Sequence, residues 1–329
     1  MTVATCLYIV LALFLIELLY FKIALHFQII DQPNHRSSHE FVAIRGGGVI
    51  FTIAALIFFA LNQFQYPWFM LGLVLITFIS FLDDVFTLKS RFRLTIHLLA
   101  VLLFALSINL LQLPWYWIAF ALFFIIGTIN AYNFMDGING ITGGYSLLLI
   151  ATMYYINNNV ISFTNDALLI TIALSLLVFN FFNFRIKAKC FAGDVGSVSI
   201  SFLLLFFLAQ LILKTHNFNY IMLFVLYGLD VVSTMMFRLI RREDVFEAHR
   251  SHFYQYLVNT CKIPHLLVAI GYMILQFGIN LLLIFVVKDS ATLGLILVCT
   301  AIVVFLSVRF MLEGARSLLG KEKVDSSIL

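Results

Sequence analysis

The chain has 329 residues, 63% apolar and only 11% charged, against about 25% charged in an ordinary soluble domain. That balance excludes a soluble globular enzyme and a disordered chain, and a net charge of +4 is too small to argue for a nucleic-acid partner. A spanning helix needs roughly 20 apolar residues, so about eleven would use about 220 of the 329 and leave no room for a separate soluble domain.

Apolar runs fall near 3–27, 48–62, 68–82, 96–112, 116–132, 142–156, 167–184, 197–213, 220–238, 264–287 and 291–311. They are long and do not alternate, so they read as helices rather than strands. The expectation is an all-α polytopic integral membrane protein, one domain over 1–329, with about 11 spanning helices and about 10 allowed by the shorter runs. The first run, from Val3 to Phe21, lacks a basic flank and exceeds signal-peptide length, so it reads as a spanning helix. Lys22 would snorkel at its inner end. An odd count puts the termini on opposite sides. With the N-terminus outside and the C-terminus cytoplasmic, only Lys214 and Lys288 fall on outer loops, as the positive-inside rule asks. The inner segments are then about 28–47, 83–95, 133–144, 185–197 and 238–263, with a tail over 313–329, and they hold most of the acids and histidines. Cys6, Cys190, Cys261 and Cys299 have no metal-like spacing and read as structural thiols.

The first inner loop reads DQPNHRSSHEFVAIRGGG. Arg36, His39 and Arg45 precede three glycines whose backbone N–H groups can approach an anion; the plainer alternative is a basic juxtamembrane loop. The second begins FLDDVFTLKSRFR. Asp83 and Asp84 repel each other and need a cation, a proton or the bases Lys89, Arg91 and Arg93. Adjacent helical side chains point about 100° apart, so the two acids are expected to do different jobs. In NAYNFMDGINGITGG, Asn130, Asn133, Asp136 and Asn139 recur every third residue, as do Gly137, Gly140 and Gly143. If helical, they form a polar stripe on one face; glycine-mediated helix packing is the alternative.

The fourth segment is NFRIKAKCFAGDVGS. Asp194 stands ahead of the eighth helix, where Gly196 and Ser197 can offer N–H groups to an anion and the carboxylate can hold a metal; a simple N-cap is the alternative. The fifth, RLIRREDVFEAHRSHFYQY, carries His249, Arg250 and His252. His with Arg suits phosphate oxygens, a zinc set is missing, and an amphipathic interfacial helix is the alternative. Asp230, inside the ninth helix, is expected to pair with Arg241 or Arg242. His26, His97 and His265 each stand alone near a helix end and read as satisfied interfacial histidines.

The D-x-P-x-x-R-S-x-H loop with R-G-G-G, the Asp83–Asp84 pair, NAYNFMDGING, FAGDVGS and the histidine-bearing last loop occur in order over nearly the whole chain. In this the chain resembles the polyprenyl-phosphate N-acetylhexosamine-1-phosphate transferases, also grouped as glycosyltransferase family 4. The resemblance implies transfer of a sugar-1-phosphate from a UDP-N-acetylhexosamine to undecaprenyl phosphate, releasing UMP, with Mg²⁺ or alternatively Mn²⁺. It implies that Asp194 and Asn133 ligate the metal, and that Asp83 acts as base or nucleophile. Asp84, Asp136, His249 and His252 would complete the catalytic set. Phe191 would stack on uracil and Asn139 meet its edge, while Arg45, Arg93 and Arg250 bind the remaining substrate oxygens. It further implies a bacterial cytoplasmic (inner) membrane location with the site facing the cytoplasm, allows a homodimer, and calls for no nucleic acid.

The form His249-Arg250-Ser251-His252 resembles the branch that initiates O-antigen or capsule-type glycans. Many bacterial members carry Asp where this chain has Asn139; an amide still bonds uracil. The long histidine-rich loop of the phospho-MurNAc-pentapeptide transferases is absent, which argues against the peptidoglycan step. The rival reading is a secondary transporter or flippase for a lipid-linked or nucleotide sugar, which would place its charges nearer the membrane midplane.

Overall fold

The computed structural model describes residues 1–31, 42–86, 88–244 and 249–320. Arg36 and His39 of the first loop, and Lys321 and Lys323 of the tail, lie outside the described residues. The chain is helical almost throughout: α1 (Val3–His26), α2 (Val49–Leu61), α3 (Pro67–Phe86), α4 (Ser90–Ser107), α5 (Trp115–Met135), α6 (Ile141–Asn159), α7 (Asp166–Asn183), α8 (Gly193–Thr215), α9 (Val225–Arg241), α10 (Phe253–Asn259), α11 (His265–Leu282), α12 (Ala291–Glu313) and α13 (Ala315–Leu319). Among the described residues, eight helical segments are long and apolar enough to cross a membrane: α1, α3, α5, α7, α8, Phe218–Arg241, His265–Val287 and α12. Apolar sequence becomes helix because a helix satisfies every interior N–H and C=O within the segment, which hydrocarbon cannot do.

Where the helices break, side chains take over that task. A 3₁₀ segment, Phe218–Phe224, leads into α9. Gln276 of α11 accepts from Leu226 N–H at 3.2 Å and donates to the Met222 carbonyl at 3.0 Å, bracketing the junction. Tyr145, Asn280 and Thr152 extend this into a buried polar chain between α6 and α11.

The central pillar is α8, buried along most of its length from Val195 to Leu211. It packs on α2, α3 and α5. Phe69 of α3 stacks on Phe206 with ring centres 3.7 Å apart, and Phe104 of α4 meets Phe202 edge-on at 5.3 Å. By contrast α1 and α12 present apolar side chains such as Leu11, Leu15, Leu295 and Val303 outward, as suits contact with lipid.

The first inner loop contributes a short antiparallel pair, β1 (Ile30–Asp31) with β2 (Ala43–Ile44). Ile44 also bridges in parallel to Cys190. Gly47 N–H then donates to the Phe191 carbonyl at 2.9 Å and Gly48 N–H to that of Ala192 at 3.2 Å. The glycine run therefore spends these two donors on the neighbouring loop, not on an anion. Its glycines matter for approach: a methyl group on Gly48 would collide with the Gly196 backbone of α8.

Candidate active site

Five chain segments meet at one end of the bundle: the end of α3, the start of α4, the α5–α6 turn, the start of α8 and the segment after β2. Asp83 and Asp84 lie in the last turn of α3, both buried. As expected from their angular separation, they face different neighbours.

Asp84 is directed at the N-terminus of α8. Its two oxygens accept the N–H groups of Asp194 at 3.1 Å and Val195 at 2.9 Å, and Arg45 closes on it at 2.8 Å. The helix end that the sequence offers to an anion is thus capped by a carboxylate of the chain itself. Gly193 makes this fit: its φ is +72°, and a Cβ there would stand 2.7 Å from Asp84 Oδ2. Asp194 is not the cap; its side chain is left to other work.

Asp83 accepts the Leu88 N–H at 2.6 Å and is ion-paired with Arg93. The same Arg93 nitrogen lies 3.6 Å from Asp194 Oδ2. One guanidinium therefore stands between two carboxylates, where a cation is needed to hold them together. Asn133, in the last turn of α5, hydrogen-bonds the Asp194 side chain. Ser197 Oγ donates to Asn133 Oδ1 at 2.9 Å, fixing the amide.

Asp136 sits just past α5, half-buried. Burial pushes its carboxyl up to about 7, and the charges of Asp194 and Asp84 act in the same sense. Arg45 feels the opposite balance: burial opposes its charge, but Asp84, Asp194 and Asp31 hold it firmly protonated.

The polar stripe expected along 130–139 is broken. Asn130 and Asn133 share α5, but that helix stops at Met135, and Gly140 takes a left-handed φ of +82° before α6 begins. Asn139 is carried away from Asn133. Its amide donates to the carbonyls of Arg185 at 2.8 Å and Ile186 at 3.0 Å, anchoring the loop that leads to Phe191. Phe191 is half-buried in the segment paired with β2.

The histidines of the last loop reach the site's flank without a helix. His249 and His252 have ring centres 4.9 Å apart, and both lie against Phe134, next to Asn133. His249 is half-buried, and burial with the nearby His252 and Arg238 lowers it to about 4, so it is neutral near pH 7. His252 is only 1% exposed and faces inward, its Nδ1 3.3 Å from Asp230. Arg250 is half-buried beside them.

Asp230 departs from its expected pairing. It accepts the N–H groups of Phe253 at 2.9 Å and Tyr254 at 3.1 Å, and the Tyr272 hydroxyl at 2.6 Å. Arg241 turns instead to Glu243, because α9 ends there and leaves its last bases beside the following acid. His97 departs too: among the described residues nothing bonds its buried Nε2. All four cysteines are free thiols, with Cys261 and Cys299 exposed.

Residues 66–212 match the family model for glycosyl transferase family 4. An undecaprenyl-phosphate alpha-N-acetylglucosaminyl 1-phosphate transferase of Thermotoga maritima is 26% identical over 77% of this chain and 82% of its own. One of the same description from Yersinia pestis is 26% identical over 72% of each chain. A phospho-N-acetylmuramoyl-pentapeptide-transferase of Streptococcus pneumoniae is 30% identical over 64% of this chain and 72% of its own. The chain belongs to glycosyl transferase family 4. The matched span covers α3 to most of α8 and so contains Asp83, Asp84, Arg93, Asn133, Asp136, Phe191 and Asp194. Arg45, His249 and His252 of this family 4 chain lie outside it.

That Asp84 caps α8 and that Ser197 orients Asn133 is not visible in the sequence. Only the G-D-x-G-S spacing hinted at the second, because it puts Ser197 three residues after Asp194 on one helix face.

Proposed function

We propose that the chain transfers an N-acetylhexosamine-1-phosphate from a UDP-sugar to undecaprenyl phosphate, at the cytoplasmic face of a bacterial inner membrane, as the first step of a cell-surface glycan. The observation that carries this reading is the meeting of Asp83, Asp84, Asp136 and Asp194 with Arg45 and Arg93 at one end of the bundle. A transporter reading gains no support from a polar cluster gathered at one end.

The reaction joins two anions. An oxygen of the lipid phosphate bonds to the β-phosphorus of the donor, the bond from that phosphorus to the bridging oxygen breaks, and UMP leaves. Positioning and charge neutralisation dominate such transfers. Arg93 can exchange its carboxylates for phosphate oxygens, freeing Asp83 to take a proton from the acceptor phosphate or to attack first. Asp84 and Arg45 hold the α8 end rigid beneath Asp194. Phe191 and the Asn139-anchored loop flank the nucleotide, and His249 with Arg250 the diphosphate or sugar.

Among the described residues, no three His, Cys, Asp or Glu side chains form a ready metal cage. Mg²⁺ does not ask for one, since it binds through one or two carboxylates plus substrate phosphates and keeps several waters. Asp194, steadied by Asn133, is a fitting oxygen donor for it. When bound, the ion would neutralise charge on the diphosphate.

For the lipid, an apolar cavity of about 330 Å³ lies between α5, α8 and the end of α4, lined by Trp117, Phe120, Phe124, Leu205, Leu208 and Ile212 among others. Those α8 residues lie roughly 17–27 Å along the helix from Asp194 at 1.5 Å per residue, a distance a polyprenyl tail spans. The test is transfer from radiolabelled UDP-N-acetylhexosamines to undecaprenyl phosphate in membranes, with and without EDTA. Lipid-linked label with one UDP-sugar, abolished by EDTA and restored by Mg²⁺, is expected; no label with any donor would overturn the reading.

A further inference from the structure

His97 lies on α4 one turn beyond Arg93, at the i, i+4 spacing that stacks two side chains on one face. The same face continues through Ala100, Val101 and Phe104, all buried. Ala100 belongs to the close α3–α4 contact: a Cβ on Gly72 would come within 2.9 Å of its carbonyl. On this face of α4, His97 therefore stands between the apolar packing and the carboxylate cluster. It is near enough to Arg93 and Asp83 to feel both charges. Yet neither bonds it. Asp83 is occupied by Leu88 N–H and Arg93, and among the described residues His97 Nε2 is buried without a hydrogen-bond partner. Buried polar atoms are almost always paired, and an exception calls for a ligand, an ion or a water.

Depth identifies the ligand. Four residues along a helix are about 6 Å, so His97 stands that much farther than Arg93 from the end of the bundle where the loops meet. A water-soluble nucleotide reaches the cluster from the loop end. A lipid phosphate, tethered to a tail in hydrocarbon, would reach it from the membrane side, the side on which His97 stands.

We propose that His97 is an acceptor-binding residue, whose Nε2 hydrogen-bonds a phosphate oxygen of the polyprenyl phosphate and steers it toward Asp83 and Arg93. This rests on the proposed transfer reaction and adds the side from which the acceptor docks.

The test is steady-state transfer by the purified full-length protein, with undecaprenyl phosphate and the UDP-N-acetylhexosamine that the wild type uses, in three variants. His97→Phe keeps the bulk and loses the bond; it is expected to raise the acceptor KM about tenfold or more and leave the donor KM within about twofold. His97→Gln, whose amide nitrogen can take the place of Nε2, is expected to recover most of that affinity, whereas His97→Ala should not. An unchanged acceptor KM in His97→Phe would overturn the inference, as would equal shifts in both KM values or equal losses in the Gln and Ala variants. A wild type that transfers nothing to polyprenyl phosphate would overturn the reaction itself, which is a separate outcome.

Discussion

Two carboxylates in this bundle do the same structural job in different company. Asp84 of α3 caps α8, and Asp230 of α9 caps α10, each through the N–H groups of two successive residues. Around Asp230 the charged groups answer one another. Tyr272 and His252 complete its contacts, while Arg309, 1% exposed, serves Glu313, Ser233, Thr234 and the Ser251 carbonyl. Around Asp84 they do not. Asp83, Asp136 and Asp194 share its neighbourhood, with Arg45 and Arg93 as the basic groups against them. A balanced polar cluster holds a fold; one with surplus negative charge is costly to bury unless a cation or a proton answers it, as the proposed transfer reaction would require.

The widest separation between the two regions should come from neutralising the surplus. Asp194→Asn and Asp83→Asn each remove a charge without removing bulk. Turnover should fall about 10²–10³-fold, the scale for losing one preorganised electrostatic contact, while the thermal midpoint in detergent stays level or rises. Turnover near wild type in either variant would mean that the two clusters do not differ in function.

The balanced cluster should respond the other way. Arg309→Met leaves Glu313 without its ion pair and the Ser251 carbonyl without its Arg309 donor. Breaking a buried pair costs about 3–5 kcal/mol, so the variant should lose much of its thermal stability and expression. Turnover per folded molecule should stay within about tenfold, because among the described residues no contact of Arg309 reaches Asp83 or Asp194. A stable but inactive Arg309→Met protein would move Arg309 from scaffold to chemistry.

The contrast also marks what sequence could disclose. The helices were legible because hydrocarbon leaves apolar runs little choice. The acids of the site were legible because charges at helix ends are costly without a purpose. The caps were not, since Asp84 meets residues 110 and 111 positions away. Nor was the break after Met135: every-third spacing looks helical until Gly140 turns left-handed and gives Asn139 to the 185–186 carbonyls. Asp230 misled for a related reason. Nearby arginines were visible in the sequence, whereas Tyr272 and the start of α10 are neighbours only in space.

The smallest expected effect is also the most diagnostic of surplus charge. Asp136 is held up to about 7, first by burial and then by Asp194 and Asp84, whereas an unfolded chain would ionise it near 3.9. Between those values the folded protein binds the extra proton, so this group's contribution to stability falls as pH rises from about 4 through 7. Asp136→Asn abolishes that titration. Its thermal midpoint should therefore gain on the wild type by a few degrees as pH goes from 5 to 8, read by unfolding in detergent across that range. In the wild type, the same proton must leave before Asp136 can meet a cation, so the Mg²⁺ concentration for half-maximal transfer should fall with rising pH and level off above about 7. A midpoint difference constant over pH would mean that Asp136 is already ionised throughout, with its charge balanced as fully as that of Asp230.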